Sequence, residues 1–340
     1  MQIELIAFTP DGFALGQKLA GLLAGQGDQT QLARGFGKEK TPLSQWCGQA
    51  FAAADALLFI GAAGIAVRAV APLLAGKDTD PAVLVMDDTG RFCIPLLSGH
   101  IGGANDLACR VAALTGAQPV VTTATDRHGV FAFDQWAARR GLKVCNLQAV
   151  KRVSGKLLQG KQVRLRSDFP VEGALPPGVI LVADKTYDVR ITIKENCKKN
   201  ALCLVPPVAV VGAGCRKGIS CQALAQAYQM LLAKGNIRPE AVREMCSISL
   251  KAEEAGLLAF CQEKGFPLRT FTAQQLNEVK GSFSASAFVQ KITGTDNVCE
   301  RSAVLGSGGT LHVKKNAGSG VTMAMAVAPY IVRLTGGLEG

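Results

Sequence analysis

Short, mainly apolar runs alternate along the chain with longer stretches in which apolar residues recur every three or four positions. The runs at 3–8, 56–60, 83–86, 92–97 and 119–121 predict strands, and the periodic stretches 15–23, 65–74 and 104–114 predict helices. Continuously apolar strands between amphipathic helices predict a mostly parallel sheet covered on both faces. Asp87-Asp88-Thr89-Gly90 predicts a tight turn, so the strands flanking it are expected to pair antiparallel.

The pattern changes after residue 130. A helix at 133–140 is followed by short alternating strands at 163–166, 179–182 and 189–193, with Pro176-Pro177-Gly178 marking a turn and Pro206-Pro207 a boundary. From 208 the long pattern returns: strands at 208–211, 245–250, 268–271, 311–313 and 322–327, and a helix at 221–233 capped by Ser220. The fold class expected is α/β. Two α/β domains with mostly parallel sheets, 1–130 and 208–332, are joined by a small α+β middle module at 131–207.

Composition narrows the function classes. No apolar run is long enough for a membrane span. The segment MQIELIAFTPDGF carries neither a basic region nor a small-residue cleavage site, and eleven cysteines occur without a Cys-x-x-Cys pair, so a cytoplasmic chain without a protein metal site is expected. The formal net charge is +11. The basic residues are scattered, with one loose cluster at 151–166, and only two Trp and three Tyr accompany them. That distribution favours a polyanionic small molecule over nucleic acid.

Candidate chemistry gathers at the predicted strand ends. IPLLSGHIGGANDLA runs from a strand through Ser98-Gly99-His100 and Gly102-Gly103 to Asn105, and the strand at 119–121 runs into Thr122-Thr123-Ala124-Thr125-Asp126. A histidine beside glycines at a strand end can reach a ligand and titrates near neutrality, which makes His100 the candidate acid–base and Asp126 a companion. Ser98 joins this catalytic set. As a nucleophile it is the weaker member, because the hydrolase elbow sets its serine between two glycines at spacing two. Gly61-Ala62-Ala63-Gly64 opens a helix that carries Arg68. Lys77 and Asp80 sit in a polar loop, Lys77 suited to a carboxylate and Asp80 to a turn or a base. Gly212-x-Gly214-x-x-x-Gly218 follows a strand, but its third glycine is one residue late for a dinucleotide fingerprint, and no acidic residue ends the next strand. Arg216 and Lys217 in that turn favour carboxylates or phosphates instead. Ser247 and Lys251 bracket another strand end, and Asn297 and Glu300 open a later helix.

At these residues the sequence resembles the CbiG family, the cobalt-precorrin-5A hydrolases of anaerobic cobalamin biosynthesis. GIAVRAVAPLLAGKDTDPAVLVMDDTG, IPLLSGHIGGANDLA and TTATD are similar to the family's N-terminal signature. GAGCRKG, SISLKAEEAGLLAF, GSFSASAFV, TGTDNVCERSAVL and the 311–326 stretch are similar to its C-terminal domain. Ala213 stands where isoleucine is usual, and Ser249 where aspartate is frequent.

The resemblance implies an enzyme that opens the ring A δ-lactone of a cobalt corrinoid and expels C20 with its methyl group as acetaldehyde, giving cobalt-precorrin-5B. It implies cobalt-precorrin-5A and water as partners, with cobalt carried by the substrate and no cofactor held by the protein. His100 would then activate water, Gly102 and Gly103 N–H groups would face the oxyanion, and Asp126 would orient His100 or take the C20 hydroxyl proton. Arg68, Lys77, Arg216, Lys217 and Lys251 would hold peripheral carboxylates, with Asn105, Thr122, Thr123, Ser247, Asn297 and Glu300 as further substrate contacts. Substrate is expected between the two α/β domains. A non-catalytic corrinoid carrier is one alternative, and a nicotinamide-dependent enzyme using the Gly212 turn another. Neither nucleic acid nor a membrane is expected as a partner. The oligomeric state stays open, a homodimer included.

Overall fold

A computed structural model describes residues 1–76, 79–99, 102–122 and 130–335. The chain forms two compact units, Met1–Arg140 and Gly141–Gly340.

The first unit is a sheet between two helical layers. Its strands are β1 (Gln2–Ala7), β2 (Gln29–Arg34), β3 (Ala56–Ile60), β4 (Ala82–Met86), β5 (Phe92–Leu97) and β6 (Gln118–Pro119), in the order β2-β1-β3-β4-β5-β6. Helices α1 (Pro10–Ala24) and α4 (Ala104–Thr115) contribute to the core on one face, and α2 (Leu43–Ala53) and α3 (Ala63–Val70) to the core on the other. Strands β3 and β4 are buried at every position, as their unbroken apolar runs required, and β1 at every position but Gln2. β4 and β5 pair antiparallel around the Asp87–Gly90 turn, as expected, while the other neighbours are parallel. β2 and α2 lack that signal. β2 reads QTQLAR at a sheet edge and buries little, so its polar alternation conceals it. The strand expected at 119–121 pairs only at Gln118–Pro119. Helix α5 (Phe133–Arg139) also belongs to this unit.

The second unit holds two larger sheets. The first contains β7 (Lys143–Val144), β8 (Val163–Ser167), β10 (Val179–Leu181), β11 (Val189–Ile191) and β12 (Leu202–Val205), in the order β10-β8-β11-β12-β7. β9 (Val171–Glu172) pairs separately with β18 (Val332–Arg333). Helix α6 (Leu147–Leu158) overlaps the basic cluster noted above. It was hidden there because its only fully buried positions are Ala149, Val153 and Leu157, between lysines and an arginine.

The other sheet runs β15-β14-β13-β17-β16, from β13 (Ala209–Cys215), β14 (Val242–Ile248), β15 (Leu268–Phe271), β16 (Thr310–Gly318) and β17 (Val321–Val327). β13, β14 and β15 are parallel, and β17 of the β16–β17 hairpin pairs antiparallel with β13. Its helices include α7 (Cys221–Gly235), α8 (Ala255–Lys264), α9 (Ala273–Glu278), α10 (Ala287–Thr293) and α11 (Val298–Ser307). One sequence expectation is corrected here. Gly212 and Gly214 are not a turn but the continuation of β13 through Cys215. A Cβ on Gly212 would stand 1.9 Å from the Cys299 carbonyl oxygen, so this glycine exists to let α11 lie directly on the strand.

Candidate active site

The antiparallel turn between β4 and β5 decides where the first unit gathers its chemistry. Register pairs Val83 with Leu97 and Met86 with Cys93, so the carboxyl end of β5 lies beside the amino end of β4. Ser98 and its glycines therefore face away from the edge where α1 and α3 begin. That other edge holds the strand-order reversal between β1 and β3, where open α/β sheets bind ligands. Here it is filled. The Phe8 ring lies against Gly35 and Gly61, at which an added Cβ would come within 2.7 Å and 3.0 Å of it. Thr9, capping α1, donates to Asp88 at 3.2 Å beside it.

At the opposite edge three segments meet. Ser98 Oγ donates to the Asp80 carbonyl oxygen at 2.8 Å, joining the loop after β5 to the loop before β4. The Asp80 carboxylate accepts the Ala75 and Gly76 N–H groups at 3.0 and 3.1 Å, so it closes its own turn. β6 runs parallel to β5, which brings Thr122 to the same end. Arg68 is exposed in the last turn of α3, the end leading into the 74–80 loop, and its Nη1 reaches the Gly64 carbonyl at 3.5 Å. His100, Lys77, Thr123 and Asp126 lie outside the described residues.

The loop is tight for local reasons. Ser98 adopts φ 55°, a left-handed conformation that costs a non-glycine residue about 1 kcal/mol. A Cβ on Gly102 would meet the Ser98 Cβ at 2.4 Å, and one on Gly99 would meet Asn105 Oδ1 at 2.7 Å. Ala104 N–H donates to Ser98 O and Asn105 N–H to Gly99 O, at 3.1 and 3.0 Å. Gly103, at φ 79°, opens α4. Asn105 is buried beneath the turn. Asp106 accepts from Arg139 Nε at 2.8 Å and so fixes the first turn of α4 to α5. The loop thus sits on a helix N-terminus, whose dipole favours developing negative charge.

In the second unit the carboxyl edge of β13–β15 collects another group. Arg216 and Lys217, following β13, are exposed. The Arg216 stem lies against Gly320 of the β16–β17 hairpin, and its N–H donates to the Gly320 carbonyl at 3.0 Å. Lys251, in the turn after β14, pairs with Glu254 at 2.8 Å. The other Glu254 oxygen accepts Gly218 N–H, also at 2.8 Å, so one carboxylate ties both loops. The Lys251 ammonium holds the Glu254 carboxyl below its usual range. The i,i+3 spacing of Glu254 from Lys251 is the signal in the sequence that could have found this pair.

Three predicted contacts take architectural places instead. Ser247 is fully buried and donates to Ala213 O at 2.7 Å. Asn297 caps α11 through Glu300 N–H and donates to Ser284 O at 3.0 Å. Glu300, fully buried, accepts from Ser284 N, Asn297 Nδ2 and Lys315 N at 2.7 to 2.8 Å, and from Ser284 Oγ at 3.1 Å. These bonds occupy both carboxylate oxygens and pin the 281–286 loop to α11 and β16.

The fold defines an α/β protein in which glycine-marked, polar loops gather at one end of a sheet in each unit. Residues 45–126 match the family described as cobalamin synthesis G N-terminal, residues 131–206 the cobalamin biosynthesis central region, and residues 209–326 the cobalamin synthesis G C-terminus. The chain is 35% identical to the cobalt-precorrin-5A hydrolase of Salmonella typhimurium, covering 96% of this chain and 97% of that one. It is 32% identical to the cobalt-precorrin-5A hydrolase of Priestia megaterium, covering 81% and 79%. A solved cobalamin biosynthesis protein G homolog from Sulfolobus solfataricus superposes at TM-score 0.42 and 20% identity, over 96% of this chain and 97% of that one. The chain belongs to the cobalt-precorrin-5A hydrolase (CbiG) family.

Proposed function

We propose that the chain hydrolyses cobalt-precorrin-5A to cobalt-precorrin-5B with release of acetaldehyde. The observation that carries this reading is the 35% identity over nearly the full length of the Salmonella hydrolase. Water adds to the lactone carbonyl, and the acyl–oxygen bond breaks to leave a carboxylate and a free C20 hydroxyl. Loss of the hydroxyl proton forms the aldehyde carbonyl, breaks the bond from C20 to the ring, and leaves the electron pair on the macrocycle. Cobalt enters as part of the substrate, and the reading calls for no cofactor held by the protein.

In this reading His100 activates the water and Asp126 serves the second step. The Ser98–Asn105 turn holds backbone N–H groups near the oxyanion at the start of α4, where preorganised donors act most strongly. Ser98 positions this turn, since its one hydroxyl proton is committed to Asp80 O. Arg216, Lys217 and Lys251 grip peripheral carboxylates with Arg68 and Lys77. Residues 1–130 carry the chemistry, 208–332 the gripping surface, and 131–207 a small module linking them. Nucleic acid has no part in the reading, and among the described residues no helix is long and apolar enough to cross a membrane.

The test is anaerobic incubation with cobalt-precorrin-5A, trapping of acetaldehyde and mass analysis of the corrinoid. Acetaldehyde and the shortened corrinoid should appear in equal amounts. His100→Gln should lower turnover by about 100-fold or more while substrate still binds. Binding without turnover by the parent chain would instead identify a corrinoid carrier.

A further inference from the structure

The carboxyl edge of β13–β15 is not only basic. Leu250, in the 3-10 turn Ser249–Lys251 directly after β14, is 67% exposed. Helix α10 contributes no buried residue, and its Phe288 and Ile292, one helical turn apart, are 74% and 60% exposed. The loop before α10 belongs to the same end of the sheet. Ser284 is bonded to Asn297 and Glu300 in the first turn of α11, and α11 begins against Gly214, whose added Cβ would lie 3.7 Å from Val298. Large apolar side chains are thus exposed at the end of the sheet that also carries Arg216, Lys217 and Lys251. Exposed apolar groups rimmed by polar and charged residues mark a binding surface rather than a solvated one.

We infer that Leu250 and Phe288 form an apolar seat for the flat face of a cobalt corrinoid, while the neighbouring cations take its peripheral carboxylates. Charge complementarity selects this occupant. A macrocycle with a ring of acetate and propionate groups presents an apolar face and an anionic rim, and this edge presents the complementary arrangement. Three helices, α7, α8 and α11, also begin at this edge, and their N-terminal dipoles add to its positive potential. Glu254 keeps the apolar and basic elements in register, because it accepts from Lys251 beside Leu250 and from Gly218 beside Lys217. This inference rests on the corrinoid reading above and assigns the ring-face contact within it.

Equilibrium dialysis of the full chain tests it, with a stable cobalt corrin polycarboxylate as one probe and a flexible aliphatic polycarboxylate as the other. The double variant Leu250→Ser/Phe288→Ser should bind the corrin roughly tenfold or more weakly. Its binding of the aliphatic probe should equal the parent's. Arg216→Ala should weaken both. Leu250→Phe should keep the parent's corrin preference where Leu250→Ser loses it, and all these exposed substitutions should leave thermal unfolding unchanged. Corrin binding by the double variant equal to the parent's overturns the seat and leaves the catalytic reading standing. A parent that binds no corrin overturns both. A parent that self-associates, and is dissociated by Leu250→Ser without loss of corrin binding, assigns the surface to a second copy and overturns the inference.

Discussion

The Ser98 hydroxyl donates to the backbone carbonyl of Asp80 across 2.8 Å, and through this bond the loop after β5 and the loop before β4 hold one geometry. A hydroxyl whose only proton is given to a carbonyl has none to pass to a base. Ser98→Ala should therefore keep measurable turnover, lowered by about five- to tenfold, as loss of one hydrogen bond implies. Rapid-quench mass analysis should show no covalent adduct at this residue. A trapped Ser98 adduct would make it the nucleophile after all.

Gly102→Ala should be more damaging than Ser98→Ala. Its Cβ would fall 2.4 Å from the Ser98 Cβ, so the turn must open. Turnover should fall to background, with roughly 1–3 kcal/mol lost from the stability of the first unit. Steady-state rates and urea unfolding of the two variants, side by side, check the ranking.

Gly212→Ala separates a packing glycine from a cofactor glycine. Its Cβ would overlap the Cys299 carbonyl oxygen at 1.9 Å and crowd Ser302 Oγ at 2.6 Å. The second unit should lose about 3 kcal/mol or more, seen as a lower urea midpoint. Unchanged stability with altered nucleotide binding would return the residue to a dinucleotide turn.

Cys197 should be the most reactive thiol of the eleven. A hydrogen bond with the Cys203 thiol, helped by Arg190 and Arg238, brings its pKa to about 7 against the opposing effect of burial. The thiolate is the reacting form. Limited alkylation at neutral pH, read by peptide mass mapping, should label Cys197 first, and Cys203→Ala should slow that labelling. Labelling of exposed Cys109 ahead of Cys197 would contradict the assignment.

His312 should titrate below its ordinary value of 6.5. Burial and the nearby Lys194 ammonium both disfavour its charged form, while Asp168 favours the ammonium. Lys194 has only donors, so at 2.7 Å the His312 Nε2 must accept, which requires a neutral ring. Between the lowered folded value and 6.5 the unfolded chain binds more protons than the folded one. Stability from this pair is therefore complete above about pH 6.5 and declines as pH falls toward the folded value. Imidazole titration by NMR should give the lowered midpoint, and Lys194→Ala should raise it. An acid-side stability slope unchanged in His312→Gln would remove the pair from the balance.

Periodicity alone was enough for the elements whose burial is uniform. β3 and β4 fall where the apolar runs predict them, the Asp87–Gly90 turn reverses the chain, and Ser220 caps α7. Such elements face a core over their full length, so their pattern carries their address. β2 and α6 were not legible, because each spends most of its surface on solvent and reads as polar chain. The residue types of the candidate site were also legible, since glycines and polar groups at strand ends stand out against apolar surroundings. Their grouping was not. That Ser98 meets Asp80 follows from the reversed direction of β5, that Gly212 lies under α11 follows from helix-on-strand packing, and that Glu254 joins Gly218 to Lys251 follows from adjacent parallel strands. Each depends on which strands become neighbours, and neighbourhood is set by how whole layers pack, a property that no local stretch of sequence contains.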